Sequence, residues 1–480
     1  TLLLFILTIF VGGFFMVSCG TKTEKPAKYV FYLIGDGMGL AQAGATEAYL
    51  AELEGKVGGG QSLSFTQFPV TGFATTFSAN RGITCSSAAG TALATGTKTK
   101  NNMLGMDSDS VALKSIAAKF KDAGYRVGIT SSVGVNHATP AAFFGHQDNR
   151  SKYYEIGMEL PESGFDFFGG ACMMQHLGKD KDKESLYDII AGKGYGVAYG
   201  IDEYNSIKDA SEKMLLVEKP ELVAADAMAY AIDRKGGELT LSEIVESAIS
   251  FLSKDADKGF FVKIEGGKID WSCHSNDGGT TIQEVLDFSA AIDKVVEFYN
   301  AHPDETLIVV TADHETGGFA LGHKSGYELN TKAFNSQKIS KELLSQQFRE
   351  LAVSKRKLAT SKPAKVEWSE VKEILTNNLG FWSDINITEA QEKELIATYE
   401  EAFVKGHNSE EKTLYATTGA MANLAMKMLN DIAKVGWTTG SHSGIPVPVY
   451  AKGAGSSKFD GKMDNTDIPK KIMSAAGIKF

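Results

Sequence analysis

Glu265-Gly266-Gly267-Lys268-Ile269-Asp270-Trp271-Ser272-Cys273-His274 follows directly on Gly259-Phe260-Phe261-Val262-Lys263-Ile264. The earlier half is a short apolar run of the kind that forms a buried strand. The later half is too rich in glycine and charge to continue it, and it carries two carboxylates and an imidazole. Asp270 and His274 are four apart, which places both on one face of a helical turn. Glu265 stands where the strand ends, the place where open α/β sheets collect their ligands. Taken alone, such a segment is equally an ordinary polar loop, so its weight depends on whether the design recurs.

It does recur. Tyr29-Val30-Phe31-Tyr32-Leu33-Ile34 reads as a strand that runs into Gly35-Asp36-Gly37. Thr306-Leu307-Ile308-Val309-Val310-Thr311 reads as another that ends in Ala312-Asp313-His314-Glu315-Thr316-Gly317-Gly318. Near the end, Gly440-Ser441-His442-Ser443-Gly444 sets a further histidine among glycines, before a short strand from Val447 to Ala451. Pro448 suits an edge or terminus of a sheet better than its centre. Predicted helices over 110–123, 241–254 and 281–300, and strands at 126–130 and 165–170, alternate with these units. The pattern predicts an α/β fold with a doubly wound, mainly parallel central sheet and helices on both faces.

Other candidate residues lie between the strand ends. Arg81-Gly82-Ile83-Thr84-Cys85-Ser86-Ser87-Ala88-Ala89-Gly90 opens a helix of small residues that stops at Gly96. Ser86 or Ser87 falls at its N-terminus, where free N–H groups favour an oxyanion, although such a serine is more commonly a simple cap. Asn136-His137-Ala138-Thr139-Pro140 follows the strand at 126–130, with Thr139 placed to cap and Pro140 to start a helix. Arg150 comes shortly after as a candidate anion clamp. Residues 151–258 are less informative. From about 325 to 434 the chain turns polar and helix-forming, with no strand run and no catalytic cluster, and is expected to be a helical cap inserted before the last ligand motif.

Composition limits the classes. A formal net charge of −10 over 480 residues argues against a nucleic-acid partner held by phosphate contacts. The N-terminal stretch is apolar up to Val17 and closes with Ser18-Cys19-Gly20, which reads as an export signal. Met16-Val17-Ser18-Cys19 resembles a bacterial lipobox with Cys19 as the lipidated residue, and an uncleaved membrane anchor is the other reading. The expected organisation is a signal over 1–19, a tether over 20–28 and a catalytic domain over 29–480. The product would be an exported, periplasmic or outer-membrane-associated lipoprotein. Beyond Cys19 only Cys85, Cys172 and Cys273 remain, an odd number that suggests no disulfide framework.

Four acids (Asp36, Glu265, Asp270, Asp313) and three histidines (His274, His314, His442) suffice for two zinc sites and a harder, oxygen-rich one. With a serine at a helix N-terminus and an arginine, these are the parts for phosphoryl transfer. From Asp36 to His442 the motifs resemble, in order and internal spacing, those of the alkaline phosphatases. The resemblance implies Ser86 as nucleophile and Arg150 as phosphate-binding residue. It implies a first zinc on Asp270, His274 and His442, and a second on Asp36, Asp313 and His314, completed by Ser86. A magnesium-type third site falls on Asp36, Thr139 and Glu265. The implied cofactors are two Zn2+ and one Mg2+ per chain, the substrates small phosphate monoesters, and the assembly a homodimer.

Three positions depart from the family's usual pattern. Cys85 stands where many relatives have an Asp that positions the arginine, so a looser Arg150 is expected. His137 and Trp271 replace the Asp and Lys of the best-known bacterial type. His137 bears on the ion preference of the third site, and Trp271 removes a cation near the phosphate. Competing readings are a phosphodiesterase of the same superfamily and a catalytically weak surface lipoprotein that only binds phosphate. A sulfatase is disfavoured, because neither Cys85 nor Ser86 is followed by the arginine its modified residue requires.

Overall fold

A computed structural model describes residues 25–57, 63–324, 326–357 and 365–480. Cys19, the apolar N-terminal segment and most of the expected tether lie outside the described residues. Among the described residues no helix is long and apolar enough to cross a membrane.

The organising element is a ten-stranded sheet. Its strands in chain order begin with β1 (Tyr29–Gly35), β2 (Val70–Thr75), β3 (Arg126–Ser131) and β4 (Phe167–Gly170). They continue with β5 (Tyr195–Tyr199), β6 (Lys213–Val217), β7 (Phe260–Gly266) and β8 (Thr306–Thr311), then Val447–Gly453 and Gly461–Asp464. β1, β7 and β8 are apolar runs buried along almost their whole length, as strands covered on both faces must be. β1 lies between β7 and β8, and β3 lies beyond β7.

The register positions the site. β1 is parallel to β7 with Ile34 opposite Glu265, and to β8 with Ile34 opposite Thr311. β3 is parallel to β7 with Ser131 opposite Glu265. Four neighbouring strands therefore end level, and their following residues spill onto one edge. The sheet is parallel except for Val447–Gly453, which is antiparallel to both β2 and β8. That strand is internal, and Pro448 stands near its start, one residue before its pairing with β8 begins at Val449.

Several local expectations are corrected. The helix predicted from Ser110 begins only at Ile116, capped by Ser115, whose hydroxyl accepts the Ala118 N–H. Asp107 wins the preceding residues for a turn: its carboxylate accepts the N–H groups of Asp109 and Val111, and Ser110 sits at φ 64°. The short helix Ala138–Ala141 is entered from His137, so Thr139 and Pro140 lie inside it rather than at its cap. Between 326 and 434 the chain holds the helices Lys341–Lys357, Trp368–Leu379, Glu389–Tyr399 and Ala420–Ala433. It also holds an unforeseen antiparallel ladder, Glu410–Lys412 against Thr417–Gly419. Their apolar faces form a second core with Ala45, Tyr49 and Ile282, separate from the core around the sheet.

Candidate active site

Two local devices bring the edge residues together. Gly37 sits at φ 73°, and a Cβ there would lie 2.8 Å from the Thr316 hydroxyl and 3.0 Å from Asp270 Cα. Only glycine lets the turn after β1 nest against the neighbouring ligand loops. A Cβ on Gly90 would meet Ala142 and Thr139 at 3.2 and 3.3 Å, so the small-residue helix Ser86–Thr95 closes tightly on the turn that carries Thr139.

Asp270 and His274 lie on the helix Lys268–His274 that leaves β7. His442 arrives from far down the chain and is clamped by a two-residue ladder that pairs it with Thr316. His274 Nε2 is 3.4 Å from Asp270 Oδ2, His442 Nε2 is 3.6 Å from Oδ1, and the two Nε2 atoms are 3.2 Å apart. His274 Nδ1 lies 2.7 Å from the Gly440 carbonyl and His442 Nδ1 2.8 Å from that of Thr84. A carbonyl only accepts, so each Nδ1 carries the proton and each Nε2 lone pair faces its twin and a carboxylate. That is a donor set for a cation.

Asp36, Asp313 and His314 form the second cluster, all fully buried. His314 Nε2 stands 3.4 Å from Asp36 Oδ1, 3.2 Å from Asp313 Oδ2 and 3.3 Å from Ser86 Oγ. Thr316 donates its only hydroxyl proton to Asp270 at 2.5 Å and so accepts from His314 Nδ1 at 3.2 Å. This again frees Nε2 as a lone-pair donor. Burial, reinforced by neighbouring carboxylates, pushes Asp36 well above the usual carboxyl range and Asp313 up to about 8. Among the described residues, Asp36 Oδ1, Asp270 Oδ2 and Asp313 Oδ2 are buried without a hydrogen-bond partner. Buried carboxylates in this state call for a cation. Among the described residues, Asp36, Asp313 and His314, and likewise Asp270, His314 and His442, each bring three ligand atoms within 4.8 Å of one another, so His314 belongs to both groups.

At the expected third site, Thr139 Oγ1 donates to Asp36 Oδ2 over a long 3.4 Å. Glu265 Oε2 accepts from Ser131 at 2.6 Å and from Lys263 Nζ at 3.1 Å, while Oε1 has no partner. One carboxylate oxygen is thus left to face a cation, beside a buried ammonium already engaged with the other.

Ser86 and Ser87 part company at the first turn of their helix. Cys85 is the cap residue, and no side chain closes the helix end. Ser86 Oγ faces His314, whereas Ser87 Oγ lies 3.2 Å from Cys85 Sγ, turned to the thiol. Arg150 is buried, and its Nη2 donates to His137 Nε2 at 3.0 Å and to the Tyr415 hydroxyl at 3.4 Å. Tyr415 stacks on Trp271 with ring centres 4.2 Å apart and planes 10° from parallel.

A family model described as alkaline phosphatase matches residues 27–171 and 165–478. The chain belongs to the alkaline phosphatase family. Alkaline phosphatase 3 of Bacillus subtilis (strain 168) is 30% identical over 463 residues, covering 94% of this chain and 89% of that protein. Alkaline phosphatase 4 of the same organism is 29% identical over 475 residues, covering 96% and 93%. The solved alkaline phosphatase of Thermus thermophilus gives a TM-score of 0.76 at 26% identity, covering 95% of this chain and 92% of that one. A cold-active alkaline phosphatase from Shewanella sp. gives 0.72 at 27%, covering 93% and 99%. The α/β fold with its large, mostly parallel sheet is that of these structures, and the protein is a phosphatase acting on phosphate monoesters.

Three residues around the site of this alkaline phosphatase escaped the sequence reading. Lys263 had a visible signal: a lysine inside an apolar strand, two residues before Glu265 and hence on the same face. Thr316 was quoted within its motif, but its link between Asp270 and His314 depends on the folded loop. Tyr415 had no local signal, because it lies in a polar stretch remote from every ligand. Lys268 Nζ lies 4.5 Å from the Trp271 ring and 3.5 Å from that of Tyr230.

Proposed function

We propose that this phosphatase hydrolyses phosphate monoesters through a phosphoserine on Ser86, with zinc in two clusters and magnesium beside Glu265. The observation that carries the reading is the Ser86 hydroxyl, 3.3 Å from the histidine that joins the two carboxylate–imidazole groups. Asp270, His274 and His442 would hold one zinc, and Asp36, Asp313 and His314 the other. Asp36, Thr139 and Glu265 would hold the magnesium. A variant of TAB5 alkaline phosphatase, 26% identical, has Mg bound in its M3 site, which supports a third-site ion here. These ions would supply Lewis acidity at the nucleophile, the leaving oxygen and the attacking water.

The chain's own groups do the rest. Ser86 Oγ forms the bond to phosphorus as the ester P–O bond breaks in line with it and the alcohol departs with a proton. Water then displaces Ser86 from phosphorus, regenerating the hydroxyl and releasing inorganic phosphate. Arg150 holds the non-bridging oxygens, helped by the uncapped N–H groups at the start of Ser86–Thr95.

The reading extends to export and lipidation at Cys19 and to a homodimer. The lipobox-like sequence supports the first and the family resemblance the second. Mass analysis of the membrane fraction and light scattering of the soluble form test them. The function is tested with an aryl phosphate monoester and its matching diester, after chelation and after adding back Zn2+ and Mg2+. Monoester preference restored by both ions is the expected result. Diester preference, or no turnover under any metal, overturns the reading.

A further inference from the structure

Arg126 and Arg234 each pair with a carboxylate, Asp166 and Asp287. Arg150 is more buried than an arginine at the surface, at 8% exposed, yet its guanidinium is bonded to the imidazole of His137 and the phenol of Tyr415. Arginine only donates, so His137 accepts through Nε2 with its proton on Nδ1, and is neutral in this pair. Tyr415 meets the guanidinium through its hydroxyl oxygen, an uncharged acceptor. Both partners orient the guanidinium without cancelling its charge.

Cys85 does not take their place. Its sulfur accepts the Asn102 N–H at 3.1 Å and meets the Ser87 hydroxyl, while the Asn102 carbonyl accepts the Arg150 backbone N–H at 2.8 Å. Cys85 therefore anchors the main chain around Arg150 and leaves the tip of the side chain to His137 and Tyr415.

Tyr415 is built to hold still. It sits in the turn between Glu410–Lys412 and Thr417–Gly419, where Thr413 accepts N–H groups from Tyr415 and Ala416. One ring face lies on Trp271, and its other ring neighbours are His137 and His274, at 5.9 and 5.5 Å. Lys268 in turn sits 4.5 Å from the Trp271 ring. Because arginine cannot accept, the phenol's own proton stays available to an anion bound on Arg150.

We propose that Tyr415 is a positioning residue delivered by the insertion: with His137 it forms a neutral clamp that aims Arg150 at the phosphate and leaves its full positive charge for that dianion. The inference rests on the phosphatase reading of the site. It is tested in full-length metal-loaded enzyme by the inhibition constant of inorganic phosphate and by KM and kcat for an aryl phosphate. Tyr415→Phe keeps the ring stack and removes only the hydroxyl. It should raise KM and the phosphate inhibition constant together by about 3- to 10-fold, with kcat changed by less than about twofold. Tyr415→Leu, which also loses the stack, should raise both at least as far.

In a Cys85→Asp background a carboxylate takes over the arginine, and Tyr415→Phe should then shift both constants by less than about twofold. Unchanged constants in Tyr415→Phe, a loss confined to kcat, or the same rise in the Cys85→Asp background would each overturn the proposal. Wild-type enzyme run alongside separates the two readings. If it neither turns over monoester nor binds phosphate, the proposed function fails and the clamp with it. An active wild type with an unaltered Tyr415→Phe rejects the clamp alone.

Discussion

The sheet edge and the insertion meet over the same site but are built on opposite principles. At the edge, strands that end in register push Asp36, Glu265, Asp313 and His314 out of a fully buried sheet, with carboxylate oxygens left unpartnered. In the insertion, polar helices form their own apolar core, and a single tyrosine at a hairpin tip reaches Arg150. A rigid, desolvated frame suits chemistry that needs converging charge. A peripheral unit suits a group that only aims another, because its loss leaves the frame intact. The difference teaches that changes at the edge should abolish the reaction, whereas changes in the insertion should weaken binding.

The largest expected effect is at Ser86. Ser86→Ala should lower kcat by on the order of 10⁴-fold or more, and labelled phosphate at mildly acid pH should no longer become attached to the protein. Labelled phosphate trapped on that variant would break the comparison at its centre. Asp270→Ala removes the carboxylate shared by His274 and His442. About one zinc per chain should disappear in elemental analysis, with kcat/KM down by roughly 10² or more. Unchanged metal content would show that the edge does not work as a ligand frame. Both effects should far exceed that of Tyr415→Phe.

A subtler edge variant concerns Lys263, fully buried and 3.1 Å from Glu265. Burial depresses Lys263 while Glu265 opposes that, so the pair holds together by mutual compensation. Lys263→Gln leaves Glu265 uncompensated and should cost the metal-free protein about 3 kcal/mol in denaturant unfolding. Added Mg2+ should recover part of that loss and bind more tightly than to wild type. Equal Mg2+ affinity in the two would separate Lys263 from the third site.

The smallest effect is expected where edge and insertion share a support. Glu284, on the helix Gly278–Ala301, is pushed up to about 7 by burial and then by Asp287. Its folded value lies above the unfolded 4.5, so the folded state holds the extra proton. Stability from this group is therefore lost as pH rises from about 4.5 through 7, by on the order of 1–3 kcal/mol. Glu284→Gln can still accept the Ala231 N–H and should flatten that decline in melts across the range. A decline of unchanged slope would remove Glu284 as its source.

Much of the edge was legible because each strand, turn and ligand is a local unit. The alternation of strand and helix sets a parallel sheet, and a parallel sheet sends every such turn to one edge. What misled the reading was local competition, as where the turn chemistry of Asp107 delayed a helix, and remote insertion, as with the strand pair around Tyr415. Sequence by itself determined the sheet, the order of its ligands and the serine at a helix start, since these depend on contacts within a few residues. Only the tertiary structure decided which of them meet. His442 finds His274 across 168 residues and Thr84 across 358, and Tyr415 finds Arg150 across 265. No periodicity encodes such meetings. They follow from packing, which turns Ser86 toward His314 and Ser87 toward Cys85, and gives a buried arginine two neutral partners.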